Sequence, residues 1–258
     1  VDILSICSGV GGLDLGVKLA VPSARTVCYV ENEAYCCEVL VRRMEEKCLD
    51  EAPVWTDIKT FDGKPWRGKV DCIIGGYPCQ PFSVAGKRTG TDDPRHLWPY
   101  IANILVETEA TLGFFENVPG HLNRGFREVV GQLETMDYKV ATGLFSTREV
   151  GGPHLRKRLF FLAHTKRNRL LALQQENKRT ETCRREQTEW SKDWILPKVA
   201  SSCATIFRQR WDNKPNPPRV VDGDSNWVER LRACGNGVVP VVAAYAFASL
   251  WKSIVKGR

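Results

Sequence analysis

Cys79 lies in Gly75-Gly76-Tyr77-Pro78-Cys79-Gln80-Pro81-Phe82-Ser83, with two glycines and two prolines around the thiol. Glycine and proline interrupt regular structure, so this cysteine belongs to a loop rather than a core. A loop thiol becomes a nucleophile when nearby N–H groups or cations lower its pKa. Most of the ten cysteines read as small buried hydrophobes. Glu116, 37 residues beyond Cys79, follows Phe114-Phe115. An acid held against apolar surface favours its protonated form and can give a proton to a ring nitrogen or accept one from an amine. A plain solvated acid at a strand end is the alternative. Arg156 and Arg158 fall on one side of an extended Pro153–Arg158 segment. Two adjacent guanidinium groups suit a carbonyl oxygen, a carboxylate or a phosphate, and a solvated basic strand end competes with that reading.

A second group of residues suits a nucleoside. Ser8-Gly9-Val10-Gly11-Gly12 follows the first apolar run, where glycines allow a tight turn and close approach of a ligand to the main chain. The full G-x-G-x-x-G is absent, because position 14 is Asp14. Glu31 closes the second apolar run, 20 residues beyond Gly11, where a carboxylate commonly binds ribose hydroxyls. It also suits a helix N-terminus, where an acid complements the dipole.

These residues need a frame that brings their loops together. Val1–Ile6, Arg25–Val30, Val70–Ile74, Thr111–Phe115, Tyr138–Ser146 and Arg158–Ala163 read as strands. Gly12–Ala20, Glu33–Lys47, His96–Thr108 and Phe126–Met136 read as helices between them. Such alternation predicts an α/β fold with a mostly parallel sheet covered on both faces. Ligands on such sheets bind at the carboxyl ends of the strands, so the loops after residues 6, 30, 74 and 115 are expected to face one site. A last helix over Val238–Val255 presents Val241, Ala244, Tyr245, Ala248 and Trp251 at helical spacing, which predicts packing against this first domain.

The alternation stops near residue 165. Residues 166–219 hold 13 Lys/Arg against 6 Asp/Glu, and the remainder of the chain is balanced at 24 and 24. The whole excess of +7 therefore sits in one segment, which suits neutralisation of phosphates, with a solvated basic face as the alternative. Three units are expected: a catalytic, cofactor-binding domain over 1–165, a small basic recognition domain over 166–225, and a C-terminal segment over 226–258 that returns to the first domain. At 43% hydrophobic and 26% charged residues, the composition is that of a globular protein. No apolar run approaches the ~20 residues of a spanning helix, and the sequence carries no recognisable secretion signal, so a cytoplasmic location is expected. Cysteine and histidine spacings match no metal site, and none is expected.

Taken together, the set resembles the DNA (cytosine-5) methyltransferase family. The glycine turn resembles its first S-adenosylmethionine motif, Pro78-Cys79-Gln80 its nucleophile motif, and Glu116-Asn117-Val118 its acid motif. Arg156 and Arg158 resemble its paired arginines. Gly235-Asn236-Gly237-Val238-Val239-Pro240 resembles its last motif. The resemblance implies a Rossmann-like, S-adenosylmethionine-dependent methyltransferase fold with a small, irregular target-recognition domain. It implies methyl transfer to C5 of a cytosine flipped out of a specific duplex, through a covalent bond between Cys79 and C6. Glu116 would hold N3 and the exocyclic amine, Arg158 would contact O2, and Arg156 would support the loop or the cofactor. Cofactor contacts are implied for Cys7, Ser8, Gly9, Gly11, Gly12, Glu31, Asn32, Asp57, Ile58, Pro78, Leu97, Asn236 and Val238. Substrate contacts are implied for Gln80, Ser83, Asn117, Arg208 and Arg210.

Three features depart from the family pattern. Cys7 stands where an aromatic is usual, His154 stands where Gln is usual, and the Leu-Thr-x-x-Glu element is replaced near Arg219–Gly223. The expected partners are double-stranded DNA and a cognate restriction endonuclease, in a bacterial or phage-infected cell, with the protein acting as a monomer. The same chemistry on tRNA, and a catalytically silent DNA-binding relative, are the competing readings.

Overall fold

The computed structural model describes residues 1–78, 97–152, 154–165, 233 and 235–256. In chain order its principal elements are β1 (Asp2–Ile6), α1 (Gly12–Ala20), β2 (Arg25–Val30), α2 (Ala34–Glu45), β3 (Val54–Trp55) and β4 (Cys72–Gly75). They continue with α3 (Trp98–Thr108), β5 (Leu112–Asn117), α4 (Phe126–Thr135), β6 (Tyr138–Ser146), β7 (Lys157–Thr165) and α5 (Pro240–Lys256). The strands form one sheet in the order β3-β2-β1-β4-β5-β7-β6. β1 to β5 run parallel, while β7 is antiparallel to both β5 and β6. This is the mostly parallel, Rossmann-like α/β sheet that the alternation predicts.

The single reversal matters for the site. Because β7 runs against β5, its amino end lies beside the carboxyl end of β5. Glu116 is paired with Phe160 and Asn117 with Leu159 in the register. Arg156, just before β7, and Arg158, at its start, therefore stand next to the end of the strand that carries Glu116. The carboxyl ends of β1, β2 and β4 open along the same edge.

Both faces of the sheet are apolar, which explains the continuous hydrophobic runs in the central strands. Alternation sends Ile73, Phe115 and Phe161 to the side covered by α3 and α4, with Trp98 and Ile101. It sends Ile74, Phe114 and Phe160 to the side covered by α1 and α5, with Phe247. Phe115 and Phe161 approach to 5.1 Å, and Phe114 stacks on Phe160 at 5.6 Å, so the acid strand and the arginine strand are locked together on both faces.

Several boundaries differ from the sequence expectation. The two-residue β3 is too short to carry a periodicity and was not expected. β5 extends through Glu116 and Asn117, which are thus held in the sheet rather than in the following loop. α5 starts at Pro240, a residue suited to the first helical turn because it has no N–H to leave unpaired. Its buried set is Val242, Ala243, Ala244, Ala246, Phe247, Leu250 and Trp251, whereas Val241, Tyr245 and Ala248 are only partly buried. The expected stripe is therefore too narrow. α5 packs against α1 as well as β6 and β7 and so buries two sides.

Candidate active site

The glycine turn is built for a ligand that comes close to the main chain. Gly9 and Gly11 have φ of +54° and +76°, a region that side-chain-bearing residues avoid. A Cβ on Gly9 would meet nothing within 4 Å, so the space above it is open. Glu31 is buried at the end of β2 and faces this turn. Its Oε2 accepts from the Gly9 N–H at 2.6 Å, and its Oε1 accepts from the N–H groups of Asn32 and Glu33 at 3.0 and 2.9 Å. Three of the roughly four acceptor sites of the carboxylate are filled by these bonds, and the one left on Oε2 suits a ribose hydroxyl. Asp57 caps the short turn Ile58–Thr60, its carboxylate accepting from Lys59 N–H at 2.9 Å. Ile58 is buried, and Leu97 is half-buried at the start of α3. Open backbone, an acceptor carboxylate and nearby apolar side chains together fit a nucleoside-bearing cofactor.

Glu116 is the most perturbed acid near this edge. It is 7% exposed, and burial raises its carboxyl to about 7, against the opposing pull of Arg158 and then Arg156. Arg158 Nε lies 2.8 Å from Glu116 Oε1. The contact is a buried ion pair on the arginine side of the carboxyl. The other oxygen, Oε2, lies 3.3 Å from where a Cβ on Gly76 would stand. The acid is thus held between the arginine strand and the stem of the Cys79 loop.

Arg156 reaches in the opposite direction. Its Nη2 donates to the carbonyl oxygens of Gly235 and Gly237 at 2.6 and 2.8 Å, and Arg158 Nη2 also donates to Gly235 at 3.4 Å. Desolvation and the neighbouring Arg158 lower the Arg156 pKa, while Glu116 opposes them. Val238, just beyond these glycines, packs its main chain over Gly12. The C-terminal segment therefore touches the arginine pair and the glycine turn at once.

The profile of C-5 cytosine-specific DNA methylases matches residues 1–217. The chain belongs to the C-5 cytosine-specific DNA methylase family. It is 33% identical over 164 residues to Type II methyltransferase M.NgoMIV of Neisseria gonorrhoeae, covering 62% of this chain and 50% of that protein. It is 31% identical over 179 residues to Type II methyltransferase M.AquIA of Picosynechococcus, covering 63% and 71%. Against Type II methyltransferase M.AplI of Arthrospira platensis the identity is 33%, and the chain spans 45% of that protein. The chain thus matches only about half the length of most of these curated relatives. Among solved structures, Spodoptera frugiperda DNMT2 aligns with TM-score 0.55 and 25% identity over 65% of this chain and 51% of that one. S. pombe Dnmt2 methyltransferase aligns with TM-score 0.64 over 98% of this chain and 99% of that one; at 17% identity it bears on fold alone.

Within this C-5 methylase domain, the expected residues separate into three groups. Gly9, Gly11, Gly12, Glu31, Glu116, Arg156, Arg158 and Val238 lie along the one sheet edge, and Asn236 is exposed beside them. Ser8 is turned inward, its hydroxyl donating to Ser5 O at 3.1 Å, while Asn32 and Pro78 are exposed. Asn117 is 2% exposed and occupied by the protein itself: its Nδ2 donates to Tyr77 O at 3.1 Å and its Oδ1 accepts from Val118 N–H at 2.8 Å. Cys79, Gln80, Ser83, Arg208, Arg210 and the expected recognition domain over 166–225 lie outside the described residues.

Two of the three departures from the family pattern find places, and the third, near Arg219–Gly223, lies outside the described residues. Cys7 adopts φ of +49° and packs partly buried against the core, where burial and then Glu31 push its thiol up to about 12. It is a neutral wall residue at neutral pH. His154 is exposed and its Nδ1 lies 2.8 Å from Thr147 Oγ1, which itself donates to the His154 carbonyl. Since that hydroxyl proton is committed, Nδ1–H is the donor in the first contact. Two residues were missed from sequence. Tyr77 was read only as part of a chain break, and His121 matched no metal pattern. A polar aromatic two residues before the expected nucleophile Cys79 was the signal available for Tyr77.

Proposed function

We propose that this protein is an S-adenosylmethionine-dependent DNA (cytosine-5) methyltransferase acting on a flipped cytosine in duplex DNA. The observation that carries the reading is the position of Glu116. A buried carboxyl raised to about 7 stands between Arg158 and Gly76, three residues before Cys79. That arrangement suits a neutral ring that becomes negatively charged during reaction.

In this reading Cys79 adds its thiolate to C6 of cytosine, and the ring becomes an enamine-like nucleophile at C5. Protonated Glu116 donates to N3 as charge builds there, and its other oxygen accepts from the exocyclic amine. Arg158 donates to O2, while Arg156 holds the Gly235–Gly237 main chain against the pocket. Glu31 holds the cofactor's ribose, with Ile58 and Leu97 as apolar walls. The bound cofactor supplies an electrophilic sulfonium methyl. C5 would take the methyl as the methyl–sulfur bond breaks with its electrons left on sulfur; a base then removes the C5 proton, the Cys79 thiolate leaves with its electron pair, and Glu116 takes back the N3 proton. The 166–219 segment reads duplex sequence through base edges. A restriction endonuclease of the same specificity is the expected companion, and a monomer is the expected working form.

The test is transfer of tritiated methyl groups from S-adenosylmethionine to duplex DNA, with an oligonucleotide carrying 5-fluorocytosine as a covalent trap. Cys79→Ser is expected to lose transfer and trapping while it still binds cofactor. Undiminished transfer by Cys79→Ser overturns the reading.

A further inference from the structure

The stem of the nucleophile loop is held at two points by the strand and turn that carry the acid. Tyr77 is 3% exposed, and its ring sits in an aromatic cage with Trp98 at 5.5 Å, His121 at 5.6 Å and Phe161 at 6.4 Å. Its main-chain oxygen accepts from Asn117, the residue after Glu116. Its hydroxyl lies 2.9 Å from Nε2 of His121, in the turn Pro119–Asn123 that follows β5. His121 is 1% exposed, and its Nδ1 lies 2.8 Å from the carbonyl oxygen of Arg124. A carbonyl only accepts, so the imidazole proton is on Nδ1. Nε2 is then bare, and Tyr77 Oη–H donates to it.

We propose that the Tyr77–His121 hydrogen bond is a positioning device for methyl transfer, which together with Asn117 fixes the segment leading to Cys79 in register with Glu116. This rests on the assignment of Cys79 as nucleophile and Glu116 as acid. The argument is one of specificity. A buried phenol and imidazole must be paired, and two apolar side chains of similar shape would pack about as stably. What the polar pair adds is a direction and a length. Fixing the hydroxyl and the carbonyl of one residue leaves Tyr77 neither rotation nor slide. Cys79 is two residues further on, and Glu116 immediately precedes the residue that grips the carbonyl. The residue two before Cys79 and the residue after Glu116 are thereby tied to one another.

The experiment compares the full chain with Tyr77→Phe, His121→Asn, His121→Gln and the double variant Tyr77→Phe/His121→Asn. Readouts are single-turnover adduct formation with the fluorinated oligonucleotide, kcat, cofactor KM and Tm. Asn places an amide near Nδ1 and keeps the Arg124 bond while losing Tyr77; Gln reaches the Nε2 position and keeps Tyr77. A small misplacement costs up to about a hundredfold in rate, so a tenfold loss of kcat and of adduct formation is expected for Tyr77→Phe and His121→Asn. Cofactor KM should stay near that of the parent, while Tm falls in each single variant because one buried polar group loses its partner, and recovers in part in the double variant. The double variant should be no slower than either single one, and His121→Gln should rescue most of the rate. A Tyr77→Phe protein that forms adduct at the parental rate overturns the proposal. So do losses in the single variants that add in the double variant and track Tm, because that is ordinary packing. Cys79→Ser, run alongside, separates the two layers. If the parent is active and Cys79→Ser is not, a negative Tyr77 result removes only the positioning role. If Cys79→Ser matches the parent, the catalytic assignment itself fails.

Discussion

The carbonyl oxygen of Val238 stands 2.5 Å from where a Cβ on Gly12 would be built, so the C-terminal segment rests directly on the turn that opens α1. Residues more than two hundred apart in sequence form one wall of the site. A methyl at Gly12 must displace main chain, and overpacking of this kind typically costs about 1–3 kcal/mol. Gly9 is the informative contrast, because a methyl there meets no atom but the φ of +54° is strained for alanine. Gly12→Ala is expected to lower both urea-melt stability and cofactor affinity. Gly9→Ala is expected to weaken cofactor binding more than stability, since its methyl fills the open space above the turn. Urea melts with calorimetric titration of S-adenosylmethionine check both; equal behaviour of the two variants would contradict this account.

Arg156 ties the arginine pair to the same segment through a single nitrogen that donates to two carbonyl oxygens. Lysine has rotatable donors but lacks the planar fork that holds this geometry. Arg156→Lys should therefore loosen Gly235–Gly237 without unfolding the sheet. The expected outcome is at least a tenfold loss of kcat/KM, on the order of 1.4 kcal/mol. Hydrogen exchange should quicken at residues 235–239 and remain slow in β4 and β5. Unchanged exchange in that segment would show that the contact is not what holds it.

The raised pKa of Glu116 has a sign that stability measurements can read. Burial lifts the folded-state value to about 7 from an ordinary 4.5, so folded protein keeps a proton that unfolded chain releases. The stability tied to that proton is complete below about 4.5 and falls away as pH rises towards 7. Glu116→Gln cannot ionise and should lose this part of the pH dependence, so its stability relative to the parent improves between pH 5 and pH 8. The same substitution should lower kcat by about a hundredfold, because the amide cannot transfer a proton to the ring. Melts across that pH range check the first outcome and methyl-transfer assays the second. A parallel pH profile for the variant and the parent would show that Glu116 ionises as an ordinary surface acid.

Much of this arrangement is legible in the residues. Strands with apolar faces on both sides announce themselves as short hydrophobic runs, and α1, β2 and β6 begin and end where those runs do. The burial and raised pKa of Glu116 were legible for the same reason, since Phe114-Phe115 places the following acid in an apolar sheet. What the sequence hides is pairing across distance. No local pattern tells that β7 turns back against β5, yet that reversal sets Arg158 beside Glu116. Asn117 illustrates the limit more sharply: its place in the acid motif suggests substrate contact, but both ends of its amide are engaged by Tyr77 and Val118. His121 becomes meaningful only when folding brings it to Tyr77.

The basic segment gives the prediction that separates the nucleic-acid substrates. Its 13 Lys/Arg residues attract any polyphosphate, so affinity alone distinguishes little. Bisulfite sequencing of DNA from cells expressing the protein would first reveal the methylated sequence. Binding to that duplex and to a scrambled one is then measured by anisotropy across a range of salt. If Arg208 and Arg210 read base edges, alanine at each should cost about 1–3 kcal/mol on the target duplex and little on the scrambled one. The salt dependence would then hardly change. If they contact phosphates instead, both duplexes weaken together and each substitution flattens the log–log salt slope by about 0.9. Competing tRNA should displace the scrambled duplex readily and the target duplex poorly. Preferential displacement of the target duplex by tRNA, together with methyl transfer to tRNA, would move the substrate from DNA to RNA while leaving the chemistry of Cys79 and Glu116 as assigned.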